Sequence, residues 1–144
     1  AGISIHEDNI DSFRNHLNDY VRNTTTPDDL VPRLHIDTEC SLKQLRLQIL
    51  EHYQQLEPFG AANPEPVLLA RNVNLTSEPR ILKDKHYRFT LQQGNAVCDA
   101  IYFNGVENKL PPPPWDVAFA IMRNDFRGRV SLQMNVRAIR ATEK

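Results

Sequence analysis

Cysteine is scarce in this chain, with Cys40 and Cys98 the two among 144 residues. They form neither a Cys-x-x-Cys pair nor a metal-ligand spacing, which excludes a zinc module and a disulfide-stapled scaffold. Inert buried thiols in a cytosolic protein are the simplest account, with a single disulfide left open. No stretch approaches the roughly 20 apolar residues that cross a bilayer, and Ala1-Gly2-Ile3-Ser4-Ile5-His6 lacks the basic start of a secretory signal. A cytoplasmic location and no membrane partner are therefore expected. The chain also lacks an initiator Met and reads as a processed chain or a piece of a longer one. Catalytic motifs are missing too. Neither Ser41 nor Ser131 has a nucleophile-elbow context, and His6, His16, His35, His52 and His86 reproduce no metal-ligand spacing. Gly94-Asn95 reads as a hairpin turn rather than a phosphate cradle. Glu57 and Glu65 are separated by prolines and give no carboxylate pair of the kind that cleaves sugars. The sequence supports no catalytic or metal-binding constellation.

What is present is an uneven distribution of charge. Residues 1–70 carry 5 Lys or Arg against 11 Asp or Glu, whereas residues 71–140 carry 11 against 6. A net charge of −1 thus hides an acidic first half and a basic second half. The second half can present a positive face to a polyanion although the protein as a whole is not basic.

Architecture changes at Leu56-Glu57-Pro58-Phe59-Gly60-Ala61-Ala62-Asn63-Pro64-Glu65-Pro66. Before it, Ile3 and Ile5 read as the end of a strand with partners upstream. Asn9 is placed to cap a helix on which Ile10, Phe13, Leu17 and Val21 recur at three- and four-residue intervals. Leu34-His35-Ile36 suggests a short strand. Ser41 starts a second helix, with Gln44 positioned for a capping box and an apolar row of Leu42, Leu45, Ile49, Tyr53 and Leu56. Pro58 and Gly60 stop it. After Pro66 the period shifts toward two, giving strands at about 66–75, 80–92, 96–103, 116–123 and 130–140. Pro111 to Pro114 form an extended connector before Trp115, and Arg127-Gly128-Arg129 is the turn between the last two strands. The expected fold is α+β: a helical segment at 1–33, a helical connector at 34–65, and a five-stranded barrel at 66–144.

Leu56-Glu57-Pro58-Phe59-Gly60 with Asn63-Pro64-Glu65-Pro66, the basic segment Lys85-His86-Tyr87-Arg88-Phe89, and Asn124-Asp125-Phe126-Arg127-Gly128 continuing through Ser131-Leu132-Gln133-Met134-Asn135-Val136 to Ile139-Arg140 resemble the C-terminal portion of the RecJ family. These are single-stranded-DNA-specific exonucleases of the DHH superfamily. The resemblance covers roughly residues 34–140 and implies that the barrel is an OB-fold. Ala1-Gly2-Ile3-Ser4-Ile5 similarly resembles the tail of the family's DHHA1 domain. The implied parent is a 5′-to-3′ nuclease of recombination and repair, with Mn2+ or Mg2+ in an upstream DHH domain. No Asp-His-His occurs here, so the resemblance implies a noncatalytic fragment without a cofactor of its own. Its implied partners are single-stranded DNA, the upstream DHH and DHHA1 domains and, if it acts instead as a scaffold, single-stranded-DNA-binding protein.

A single-strand surface needs cations for phosphates and exposed rings for bases. Arg71, Lys83, Lys85, Arg88, Arg123, Arg127, Arg129 and Arg137 are the cationic candidates, and Tyr102 and Phe126 the stacking candidates. Alternation puts Arg88 opposite Tyr87 and Phe89, hence outward if those rings fill the core. By parity with Val97 and Ile101, Phe103 is expected in the core, which leaves Tyr102 as a surface ring. Arg123, Arg127 and Arg129 surround the last hairpin, where Phe126 either stacks on a base or closes the end of the barrel.

Overall fold

The computed structural model describes residues 2–143; Ala1, where the expected DHHA1 tail begins, and Lys144 lie outside it. The chain divides into two compact units, one ending at Leu34 and one beginning at His35. In the first unit, α1 (Ile10–Thr24) occupies the stretch that its apolar spacing indicated, and none of its residues is buried. Asn9 makes no side-chain capping bond; a 3-10 turn, Glu7–Asn9, leads into the helix instead. Ile3 and Ile5 lie in irregular chain rather than in a strand.

The second unit is a seven-stranded sheet with one α-helix. Its strands are β1 (Thr38–Glu39), β2 (Leu68–Leu75), β3 (Arg80–Leu82), β4 (His86–Gln93), β5 (Ala96–Tyr102), β6 (Trp115–Phe126) and β7 (Arg129–Ala141). They lie in the order β1-β2-β6-β7-β5-β4-β3, with a further pairing of β2 to β4 at Asn74 and Leu75. The expected five-stranded barrel is therefore corrected to a seven-stranded sheet. Two local events make the difference. The segment anticipated as one strand from 80 to 92 folds back at Lys83-Asp84, both with positive φ (52° and 55°), so that Lys85 N donates to Leu82 O (3.2 Å). A two-residue hairpin turn of this type normally uses glycine or asparagine at its positive-φ sites, so this sequence does not advertise it. The short strand anticipated at Leu34–Ile36 forms later, at Thr38–Glu39, and pairs in parallel with Leu68 and Leu69.

The second helix is likewise shorter than its apolar row. Ser41 and Gln44 do form the capping box, with Ser41 N donating to Gln44 Oε1 (2.8 Å). That box begins only a 3-10 turn, Leu42–Gln44; the backbone leaves helical geometry at Leu45 and Arg46, and α2 runs from Leu47 to Gln54. Leu50 and Tyr53 bury its inner face.

The core gathers Leu68, Ala70 and Val73 of β2, Phe89 and Leu91 of β4, Cys98 and Ala100 of β5, Trp115, Val117, Phe119 and Ile121 of β6, and Met134 and Val136 of β7. Phe89 meets Trp115 edge-on (5.5 Å between ring centres). Trp115 Nε1 donates to Pro111 O (2.8 Å), so the proline run anchors the start of β6. The Leu56–Pro66 junction is also a structural device. Asn63 Nδ2 donates to the carbonyls of Leu56 (2.8 Å) and Pro58 (3.0 Å), Phe59 packs edge-on against Tyr53, and Tyr53 OH donates to Pro66 O (3.1 Å). Burial pushes the Tyr53 hydroxyl up to about 12.

Candidate nucleic-acid interface

Strand register decides which side chains share a surface. Ala100 of β5 pairs with Met134 of β7, and both are fully buried, so their neighbours Ile101 and Asn135, also paired and both half-buried, lie on the opposite side of the sheet. Arg88 of β4 lies opposite Ile101, and Arg80 of β3 lies opposite Arg88. Along β7 the same parity runs through Gln133, itself buried at 6 % exposure, and the half-buried Ser131 to the exposed Arg129, which pairs with Phe126. Arg80, Arg88, Phe126 and Arg129 consequently share the outer face of the sheet.

Parity also corrects the two β5 aromatics. Cys98 and Ala100 are buried while Val97 is 56 % exposed, so the odd-numbered positions of β5 point outward. Phe103 follows them and is 44 % exposed, with its ring edge-on to His86 at 5.3 Å. His86 is fixed by Asn104 N, which donates to its Nδ1 (2.9 Å). Tyr102 instead packs against the core, its ring on Gly105 and its hydroxyl accepting from Asn108 Nδ2 (3.2 Å). The expected parity fails because Cys98 and Ala100, not the larger Val97 and Ile101, are the pair that fits beneath the sheet.

The β6–β7 hairpin reaches beyond its neighbours. β6 and β7 pair down to Phe126 and Arg129, whereas β7 meets β5 only at Met134 and Asn135, which leaves the tip as a two-stranded ribbon. Arg127 (φ 52°) and Gly128 (φ 74°) make its turn. Phe126 is 64 % exposed, and the Arg127 guanidinium stands over its ring at 5.2 Å, a cation–π arrangement that holds the ring at the tip. Arg127 and Arg129 make no ion pair among the described residues. Arg123 is on the opposite side of the ribbon and reaches Asp125 (3.7 Å).

The remaining cationic candidates are placed differently. Lys83 and Lys85 are exposed at the β3–β4 turn. Arg88 Nη2 donates to Asp99 Oδ2 (3.2 Å). Arg137 is held by Glu65. Arg71 donates through Nε to Glu39 Oε1 (2.6 Å) and through Nη1 to Asp116 Oδ2 (3.2 Å). Asp116 is 2 % exposed and also accepts from Arg140, from Thr142 Oγ1 (2.9 Å) and from Asn72 N (3.2 Å). Its burial works to raise its pKa, but these hydrogen bonds prevail and hold it below the ordinary carboxylate value. The structure thus brings Arg88, Phe126 and Arg129 onto one face, with Arg127 at its edge. It places Arg71 in the ion network of Asp116 and pairs Arg137 with Glu65. Arg80 and Phe103 are the surface residues that sequence reading missed; correct β5 parity and the β3 turn were the signals needed to find them.

Burial, reinforced by Asp99, pushes the Cys98 thiol up to about 12, and burial also raises Cys40, so neither is a ready nucleophile. Among the described residues no three His, Cys, Asp or Glu side chains converge to hold a metal ion. Nor, among the described residues, is any helix long and apolar enough to cross a membrane.

The sheet and its connections align with known proteins. Single-stranded-DNA-specific exonuclease RecJ of Bacillus subtilis is 28% identical over 105 residues, covering 72% of this chain and 13% of that protein. The protein of the same name from Dickeya dadantii is 29% identical over 140 residues, covering 93% of this chain and 24% of its own length. The chain therefore spans a quarter or less of these relatives. The crystal structure of RecJ in complex with Mn2+ from Thermus thermophilus superposes with a TM-score of 0.69 at 21% identity, over 99% of this chain and 21% of that one. Residues 36–138, most of the chain, match the family described as the RecJ OB domain, and the chain belongs to that family.

Proposed function

We propose that the outer face of β3, β4, β5 and the β6–β7 ribbon binds single-stranded DNA as an accessory module of a larger 5′-to-3′ single-strand-specific exonuclease acting in recombination and repair. One observation carries this reading: register puts the cations Arg80, Arg88 and Arg129 on the same face as the exposed ring Phe126, and Phe103, just past β5 and edge-on to His86, adds a second exposed ring. Phosphates take the Arg127 and Arg129 guanidinium groups at the ribbon tip and bases stack on the exposed rings, a combination that tolerates any sequence. The module raises the local concentration of substrate and aligns it. Hydrolysis, with its Mn2+ or Mg2+, belongs in this proposal to upstream DHH and DHHA1 domains, and residues 1–5 to the tail of the latter.

Fluorescence anisotropy of labelled single strands and a duplex control, at low and physiological salt, tests the reading. Preference for the single strand that weakens with salt supports it. No binding above roughly 100 μM overturns an autonomous surface. A second reading, packing within the parent enzyme or against a repair partner, is favoured for α1 by its apolar row of Ile10, Phe13, Leu17 and Val21, all exposed.

A further inference from the structure

Arg80 and Arg88 are direct cross-strand partners on β3 and β4, an arrangement of like charges that is unfavourable on its own. They line a hollow of about 290 Å³ together with Ser77, Glu78, Thr90 and Asp99. The hollow holds two cations and two carboxylates. With no net charge, it offers a phosphate as much repulsion as attraction. Its lining instead presents donors and acceptors side by side, which suits a neutral planar group having both. Its size lies at or just below the lower end of small-ligand sites, which suits one base rather than a larger ligand.

Asp99 is held for such a role. Thr90 Oγ1 donates to its Oδ1 (3.1 Å) and Arg88 Nη2 to its Oδ2 (3.2 Å), so each oxygen has one fixed partner and keeps acceptor capacity. Thr76 N donates to Thr90 O (3.0 Å), tying the chain between β2 and β3 to the same strand. Arg80 makes no ion pair among the described residues. The hollow thus combines a positioned carboxylate acceptor with an available guanidinium fork.

We propose that this hollow is a guanine subsite within the single-strand surface. Among the bases, guanine has an acceptor edge, O6 and N7, that matches an arginine fork, and donors at N1 and N2 that match a carboxylate. Arg80 takes the acceptor edge and Asp99 the donor edge; Arg88 and Thr90 are positioning residues that orient Asp99. Thymine has O4 alone for the arginine fork and N3–H alone for the carboxylate, so it meets each side with one hydrogen bond where guanine meets it with two. The inference rests on the proposed function of this face and adds to it a preference at one position.

The experiment compares labelled 12-mers of thymidine with and without a single central guanosine, by anisotropy against the whole chain at fixed salt. One guanosine should tighten binding about tenfold, inosine in its place should recover only part of that gain, and Asp99→Asn or Arg80→Met should bring the ratio of the two affinities close to one. Thermal melts establish that both variants fold. Equal binding of the two 12-mers, or a guanosine preference unchanged in both folded variants, overturns the guanine subsite while leaving the surface standing. Failure of either 12-mer to bind overturns the surface reading itself, and the subsite with it.

Discussion

At the scale of single residues, the strongest device is a carboxylate rather than an arginine. Asp116 is buried at the start of β6 and gathers Arg71, Arg140, Thr142 and the Asn72 amide. Replacing one member of such a network leaves the others without their partner. Asp116→Asn is therefore expected to destabilise the fold by about 2 kcal/mol, a value reduced from that of a fully buried pair because both arginines are half exposed. The pH dependence follows from the direction of the shift. The folded-state pKa of Asp116 is lowered, so its contribution is present above the ordinary value of 3.8 and is lost as pH falls through the folded value. Urea midpoints of wild type and variant should differ at pH 7 and converge toward pH 3. A constant difference across that range would show that the carboxylate charge is not what the network uses. Arg71 was legible in the sequence as a cation but not as a structural one, because Glu39 and Asp116, its partners, are 32 and 45 residues away.

At the scale of elements, legibility followed periodicity and failed at turns. Helix α1 and strands β2, β4, β5, β6 and β7 each have enough repeating apolar positions to be found from the sequence. The β3–β4 hairpin was missed because Lys83-Asp84 adopts positive φ without glycine. The helix from Ser41 was overextended because its apolar spacing continues across Leu45 and Arg46, where the backbone does not. After β5, Gly105 shows the same dependence on local geometry. A Cβ there would lie 2.4 Å from Cδ1 and 2.6 Å from Cγ of Tyr102. Gly105→Ala should displace that ring from the core edge and cost about 1–3 kcal/mol, read as a lower urea midpoint with an unchanged slope. Gly94→Ala, with open space around it but φ at 58°, should cost about 1 kcal/mol from backbone strain alone. If the two variants cost the same, the Tyr102 contact is not the reason for glycine at position 105.

At the scale of the whole molecule, attraction to a polyanion has to come from arrangement rather than from total charge. Residues 1–34 hold 3 Lys or Arg against 6 Asp or Glu, which leaves 14 against 12 in the sheet unit. A surplus of two is too small to act as a general cation, and several of those arginines are already matched to carboxylates. The hairpin tip is different, since Arg127 and Arg129 make no ion pair among the described residues and flank the exposed Phe126. Each phosphate neutralised on a single strand steepens the dependence of log affinity on log salt by about 0.7. Substituting both Arg127 and Arg129 with Gln should therefore make that slope shallower by about 1.4 and weaken binding about tenfold at low salt. Arg137→Gln should leave the slope unchanged, because Glu65 already neutralises that guanidinium. A slope that moved equally in all these variants would mean that the tip is not a phosphate contact and that the chain responds only to its total charge.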